Sequence, residues 1–138
     1  MNEENKELRE ALLSYREIPD EGNRKLVLAG LLEYLHHDKV LYIPVTGRRL
    51  PGGREQILTD KLINEDGEAF FTAFTDKAAA ARDRNCKRVL KLSLVRIFNN
   101  VLKDEKVSGL ILNPYSPEQC TLLKETIQLL IEAEKQWQ

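Results

Sequence analysis

The fold class predicted for this 138-residue chain is α/β of mixed (α+β) character. It comprises one mixed sheet of about five strands including a β-hairpin, helices packed on the sheet and two leading helices. Three observations carry this. Apolar residues recur at helical spacing through the first 37 positions before any strand-like run appears. From residue 38 onward, short β-branched and aromatic runs alternate with amphipathic segments, the pattern of strand–helix–strand units. Glu65-Asp66-Gly67 lies between two such runs and supplies a hairpin turn. A single domain over 1–138 follows, with a helical lead-in at 1–37 and a sheet core at 38–138.

Leu8, Ala11, Leu12 and Tyr15 follow i, i+3, i+4, i+7 and predict a helix over about 3–17, ended by Pro19. Asn23 is the expected cap of a second helix carrying Leu28, Leu31, Leu32 and Leu35, which stops near His36-His37. "KVLYIPV", 39–45, reads as a buried strand, and "TGRRLPGGRE", 46–55, as a loop by composition. "QILTDKLINEDGEAFFTAFT" reads as one hairpin. Thr75 or Asp76 caps a short helix through "KAAAAR", "KRVLKLSL" is a strand, and Ser93 caps a helix striped with Leu94, Ile97, Phe98, Val101 and Leu102. "VSGLILN" is apolar on both faces and so predicts a central strand. Leu123, Ile127, Leu130 and Ile131 mark the last helix, which ends near Trp137. The units at 70–92 and 87–113 predict parallel neighbours joined by right-handed crossovers.

A chain of this length buries roughly 68–70% of its unfolded surface, enough for a core without disulfide staples. With 42% hydrophobic and 31% charged residues it is globular, and no apolar run approaches the ~18 residues of a membrane helix. The polar start "MNEENKELRE" is unlike a secretory signal, and Cys86 and Cys120 have neither a disulfide framework nor metal-ligand spacing. A cytoplasmic protein without cofactor, metal or membrane is expected. A sequence pI near 6.2, with aromatics in core patterns, argues against nucleic acid.

Charge is uneven. Residues 1–21 hold seven acids against three bases, whereas 39–54 hold Lys39, Arg48, Arg49 and Arg54 and no acid. The basic stretch reads either as a solvated loop facing the acidic first helix or as a site for phosphate or an acidic partner. Its glycines do not make a phosphate loop, because Gly53 stands where Lys is required and a strand follows. His36-His37 are adjacent and diverge by about 100° on a helix, so they cannot share a metal as an i, i+4 pair does.

"NPYSP", 113–117, sits at the carboxyl end of the expected central strand, the edge where open α/β sheets bind ligands. Asn113 could hydrogen-bond a ligand and Tyr115 could cover it. The structural reading is a turn: Asn before Pro is driven to extended backbone, and Ser116 with Pro117 and Gln119 has the form of a capping box. Residues 117–122 are left open between a helical turn and a short strand. Asp76, at another strand end opening a helix, is read first as a cap and second as a ligand contact.

"LYIPV", "DGEAFFTAFTDKAAA", "VSGLILNPYSP", the opening "NKELREALLSYREIPDEGNRK" and the closing amphipathic helix resemble the SseB-like amino-terminal domain, the enhanced-serine-sensitivity proteins. Larger members of that family carry a second domain, which a chain of this length cannot hold. The family is linked in name to serine sensitivity and at times to sulfurtransferase-like activity. A rhodanese loop closes Cys-x-x-x-x-Arg, but Lys91 stands five residues after Cys86 and Glu125 five after Cys120, so sulfur transfer is not expected. No nucleophile has a visible base. The expectation is a non-catalytic interaction module binding a protein partner, monomeric or weakly homodimeric. The alternative is a small-ligand or phosphate binder using Arg48, Arg49 and Arg54 together with the edge at Asn113, Tyr115 and Ser116.

Overall fold

The computed structural model describes residues 5–82 and 88–137. Helix α1 spans Lys6–Glu17 and α2 Glu21–His36. Strands β1 (Val40–Arg49), β2 (Glu55–Thr59), β3 (Lys61–Ile63) and β4 (Ala69–Ala73) follow, then α3 (Lys77–Ala81), β5 (Arg88–Ser93), α4 (Leu94–Lys103), β6 (Val107–Leu112), β7 (Cys120–Leu123) and α5 (Lys124–Lys135). The mixed α/β class holds, with two sheets in place of one. A three-stranded antiparallel sheet has order β2-β1-β5 and a four-stranded mixed sheet has order β3-β4-β6-β7. Reciprocal bonds between Tyr42 and Phe74 join them, 2.9 Å from Tyr42 N and 2.7 Å from Phe74 N.

The core lies between the sheets and the helices. Leu8 and Leu12 of α1, Val27, Leu31 and Leu35 of α2, Leu94, Phe98 and Val101 of α4 and Ile127 of α5 meet Leu41, Val45, Leu110 and Leu112 from the strands. Each helix buries the stripe its i, i+3, i+4 spacing dictates. A smaller cluster of Tyr42, Phe74 and Ala80 fills the seam under α3.

Four expectations need correction. Asn23 lies inside α2; Asp20 is the cap, accepting from the Asn23 amide at 2.8 Å, while the Asn23 side chain donates to Ile18 O at 2.8 Å. An acidic cap suits the positive helix end better than a neutral amide. The basic stretch is largely strand, not loop: β1 continues to Arg49 and returns through Pro51-Gly52-Gly53 into β2, pairing Gly47 with Ile57 and Arg49 with Glu55. The pairing overrides the weak strand propensity of Thr-Gly-Arg-Arg. Gly52 and Gly53 take φ of 86° and 83° at the tip, a conformation glycine adopts without a steric penalty.

The run 56–75 is not one hairpin. It divides at Asp60, whose amide donates to Pro44 O and whose Oδ1 accepts from Thr46 Oγ1 at 2.9 Å. Residues before Asp60 pair with β1, and those after it pair with β4 across the Asn64–Glu68 turn. Finally, β5 is no parallel neighbour of β4 or β6. It pairs antiparallel with β1 at an edge, which its alternating "RVLKLS" suits, and β4 pairs in parallel with β6 instead. β6 is central, as its apolar run demands.

Candidate binding site

Parallel pairing of β4 and β6 places two strand ends side by side, so the chain leaves the sheet twice at one edge. After β4 come Phe74, Thr75 and Asp76; after β6 come Asn113 to Ser116. Between them opens a cavity of about 490 Å³, with Arg9 of α1, Arg82 and Glu118 on its walls. This is the edge of an open sheet at which ligands bind.

Two of the predicted site residues build the cavity. Asn113 is 4% exposed and has φ 50°, so it is not extended despite Pro114. Its Oδ1 accepts from the Thr75 amide at 3.0 Å and the Thr75 hydroxyl at 3.3 Å, and its Nδ2 donates to Glu118 O at 3.5 Å. Asn is among the few residues that tolerate left-handed backbone, and these bonds tie the two strand ends together. Ser116 Oγ donates to Asn113 O at 2.9 Å and accepts from the Glu118 amide at 3.1 Å. Ser116 therefore caps a turn and not a helix, and β7 settles residues 120–123 as strand.

Tyr115 behaves differently. Its side chain is 75% exposed at the cavity mouth, and its backbone sits at φ 65°. Gln119 Oε1 accepts from its amide at 2.7 Å. A bulky residue at positive φ is uncommon, and such strain concentrates at functional sites.

Asp76 caps α3, accepting from the Ala78 amide at 3.1 Å, and also faces the cavity. Arg9 Nε meets Glu118 Oε2 at 3.1 Å, and Arg16 donates to Ser116 O at 3.5 Å, so α1 is clamped onto the turn. The acidic first helix thus reaches this edge.

Arg48, Arg49 and Arg54 are exposed on the β1–β2 hairpin and line none of this cavity. Arg48 donates to Gln56 Oε1 at 2.6 Å, and Glu55 pairs with Arg88 of β5 at 3.0 Å. The cavity thus brings Asp76, Asn113, Tyr115 and Ser116 together and leaves the three arginines on another surface. Sequence reasoning missed Arg9, Phe74, Arg82 and Glu118. Only tertiary contact reveals them, since Arg9 and Glu118 are 109 positions apart.

Cys120, on β7, is largely buried, and that burial pushes its thiol up to about 11. A protonated thiol is a poor nucleophile, which weighs against sulfur transfer at this residue. Cys86 lies outside the described residues. Among the described residues no group of three or more His, Cys, Asp or Glu could hold a metal ion, and no helix is long and apolar enough to cross a membrane. His36 stacks on Trp137, with ring centroids 4.0 Å apart, and its Nδ1 lies 3.6 Å from Glu134. The terminal aromatic thus folds back onto α2.

No curated protein and no solved structure matches the chain. The model of the SseB protein N-terminal domain matches residues 8–129, from α1 into α5, and covers both strand ends that form the cavity. The chain therefore belongs to the SseB protein N-terminal domain family.

Proposed function

We propose that this domain is a non-catalytic binding module whose ligand is a small charged molecule held in the strand-end cavity. The observation that carries this reading is Tyr115, an exposed aromatic kept at a strained positive φ over a 490 Å³ hollow at the carboxyl ends of β4 and β6. Cavities of roughly 300–1,000 Å³ hold small ligands. Arg9 and Arg82 on the walls suit an anionic group, Asp76 and Glu118 suit a cationic one, and Phe74 and Tyr115 supply apolar surface. Among the described residues the Ser116 hydroxyl is engaged with backbone on both sides and with no side-chain base, which favours binding over turnover.

A thermal-shift screen of phosphate, nucleotides and amino acids tests this. A ligand at a hundred times its dissociation constant adds about 2.7 kcal/mol of stability. Tyr115→Ala should abolish that shift while leaving the unliganded melting point within a few degrees, because the ring is exposed. Flat melting curves across the screen refute the reading. A second reading, a protein partner, is supported by the exposed apolar side chains Leu26 and Leu129 on α2 and α5.

A further inference from the structure

Strand β2 stands at the end of the order β2-β1-β5 and so has one open edge. At one end of its ladder with β1, Leu50 N donates to Arg54 O at 2.8 Å; at the other, Asp60 N donates to Pro44 O at 3.2 Å. Hydrogen-bonded pairs alternate with unbonded ones along an antiparallel ladder. Between these two ends the bonded pairs are therefore Arg48–Gln56 and Thr46–Leu58. Glu55, Ile57 and Thr59 turn their N–H and C=O groups away from β1, and no backbone group among the described residues meets them there. Such an edge is a template for another strand.

The edge is apolar in its middle and basic at one end. Ile57 and Leu58 point to opposite faces and are 39% and 40% exposed. β2 has neither lysine nor proline, residues that ordinarily blunt an edge. Its one charged side chain, Glu55, is drawn inward. The carboxylate lies over Gly47 of β1, where a Cβ would come within 2.6 Å of Oε2, and it pairs with Arg88 of β5 at 3.0 Å. Around β2 and the second half of β1 the described cations are Arg48, Arg49, Arg54 and Arg88, against the acids Glu55 and Asp60. Both acids are engaged: Glu55 by Arg88, and Asp60 by Thr46 Oγ1 at 2.9 Å, with its second oxygen buried. Arg48 already reaches from β1 towards the edge, where it donates to the neutral Gln56 at 2.6 Å.

We propose that β2 takes up an extended acidic segment of another protein as an added antiparallel strand. The segment runs from Thr59 towards Glu55 and carries an apolar pair followed by acids. Its backbone bonds the outward groups of Glu55, Ile57 and Thr59, the strand-addition mode of peptide recognition. The apolar pair sits against Ile57 and Leu58, one on each face. The acids that follow alternate between faces, as Arg48 and Arg49 do, and reach the hairpin end where Arg54 stands. None of these residues lines the strand-end cavity, so the two surfaces act independently.

Fluorescence anisotropy on the whole chain with the labelled peptide Ser-Thr-Val-Ile-Asp-Glu-Asp-Ser tests this. Saturable binding is expected, and it should weaken as salt rises. N-methylation of the peptide amides, one at a time, should abolish and spare binding alternately, since only every second N–H faces β2. Ile57→Pro removes an outward N–H that β1 does not use, so it should weaken binding about tenfold or more with an unchanged circular dichroism spectrum. Arg48→Glu combined with Arg49→Glu should weaken it by a similar factor. Gly47→Ala should also weaken it, by displacing the Glu55 carboxylate towards the edge. No binding at millimolar peptide overturns the proposal. Equal binding of a peptide with lysines in place of its acids overturns it, as does N-methylation without the two-residue alternation. A chain that instead pairs with itself through β2, seen as a dimer that Ile57→Pro dissolves, overturns it too.

Discussion

Asn113 offers the sharpest test of how the strand-end cavity is held. Replacing it with alanine does two separable things. It strips the partner from the Thr75 amide and hydroxyl, both buried, and an unsatisfied buried donor costs about 1–3 kcal/mol. It also leaves a Cβ-bearing residue at φ 50° without the side-chain bonds that hold it there, which costs roughly 1–2 kcal/mol. Asn113→Ala should therefore lose about 3–4 kcal/mol. Asn113→Gly loses the same bonds but meets no penalty at positive φ, so it should be about 1 kcal/mol more stable than the alanine variant. The ordering is informative because glycine ordinarily weakens a folded chain relative to alanine. Urea titration monitored by circular dichroism gives the midpoints, and the slope should stay constant if only stability changes. Equal midpoints for the two variants, or an alanine variant within 0.5 kcal/mol of the parent (roughly the ordinary range of surface substitutions), would refute the reasoning.

Three further outcomes are expected. A Cβ at Gly109 in β6 would press into the Leu122 carbonyl of β7, with the carbonyl carbon only 3.1 Å away, so Gly109→Ala should lower stability by about 3 kcal/mol; an unchanged melting curve would contradict that close approach. Cys120 has its thiol raised from 9.0 to about 11 by burial, so the fold favours the protonated form; that stabilisation is present below pH 9.0 and disappears as pH rises through about 11. In a Cys86→Ser background, thiolate absorbance should stay flat to about pH 10, and a midpoint below 9 would be inconsistent with the buried placement. The Lys106 amide donates to Asp104 Oδ1 at 2.9 Å and, with help from Lys61 and Lys124, holds that carboxyl below the usual range. Its contribution is present above the unfolded carboxylate pKa and is lost as pH falls through the lowered value. Asp104→Asn should therefore flatten the acid limb of stability against pH, and an unaltered limb would count against the interaction.

Local patterns carried most of the elements. Helical periodicity located α1, α2, α4 and α5 because each buries one stripe, and the doubly apolar 107–112 run marked the central strand β6. What failed was partner choice. Nothing in "QILTDKLI" says that a strand should change sheets at Asp60, because the bonds from Asp60 to Pro44 and Thr46 join residues 16 and 14 positions apart. Nothing in "TGRRL" marks it as strand until β2 lies against it. Splitting one sheet into two is a long-range decision. A strand's own pattern reports how many of its faces are buried, but not which neighbour buries them.

The same limit explains the site. Asp76, Asn113, Tyr115 and Ser116 were legible because strand ends and prolines advertise themselves, and their convergence follows once β4 and β6 pair in parallel. Their roles were not legible. Asn113 and Tyr115 flank the same proline and share the same left-handed backbone, yet one is sealed in and bonded while the other stands in solvent. The difference comes from Thr75, 38 positions away, which offers Asn113 two donors. Among the described residues Tyr115 has only its amide held, by Gln119. Strain at Asn113 is thus accounted for by the fold. Strain at Tyr115 has no buried bond among the described residues to offset it, and this asymmetry is why the proposed binding reading turns on the tyrosine.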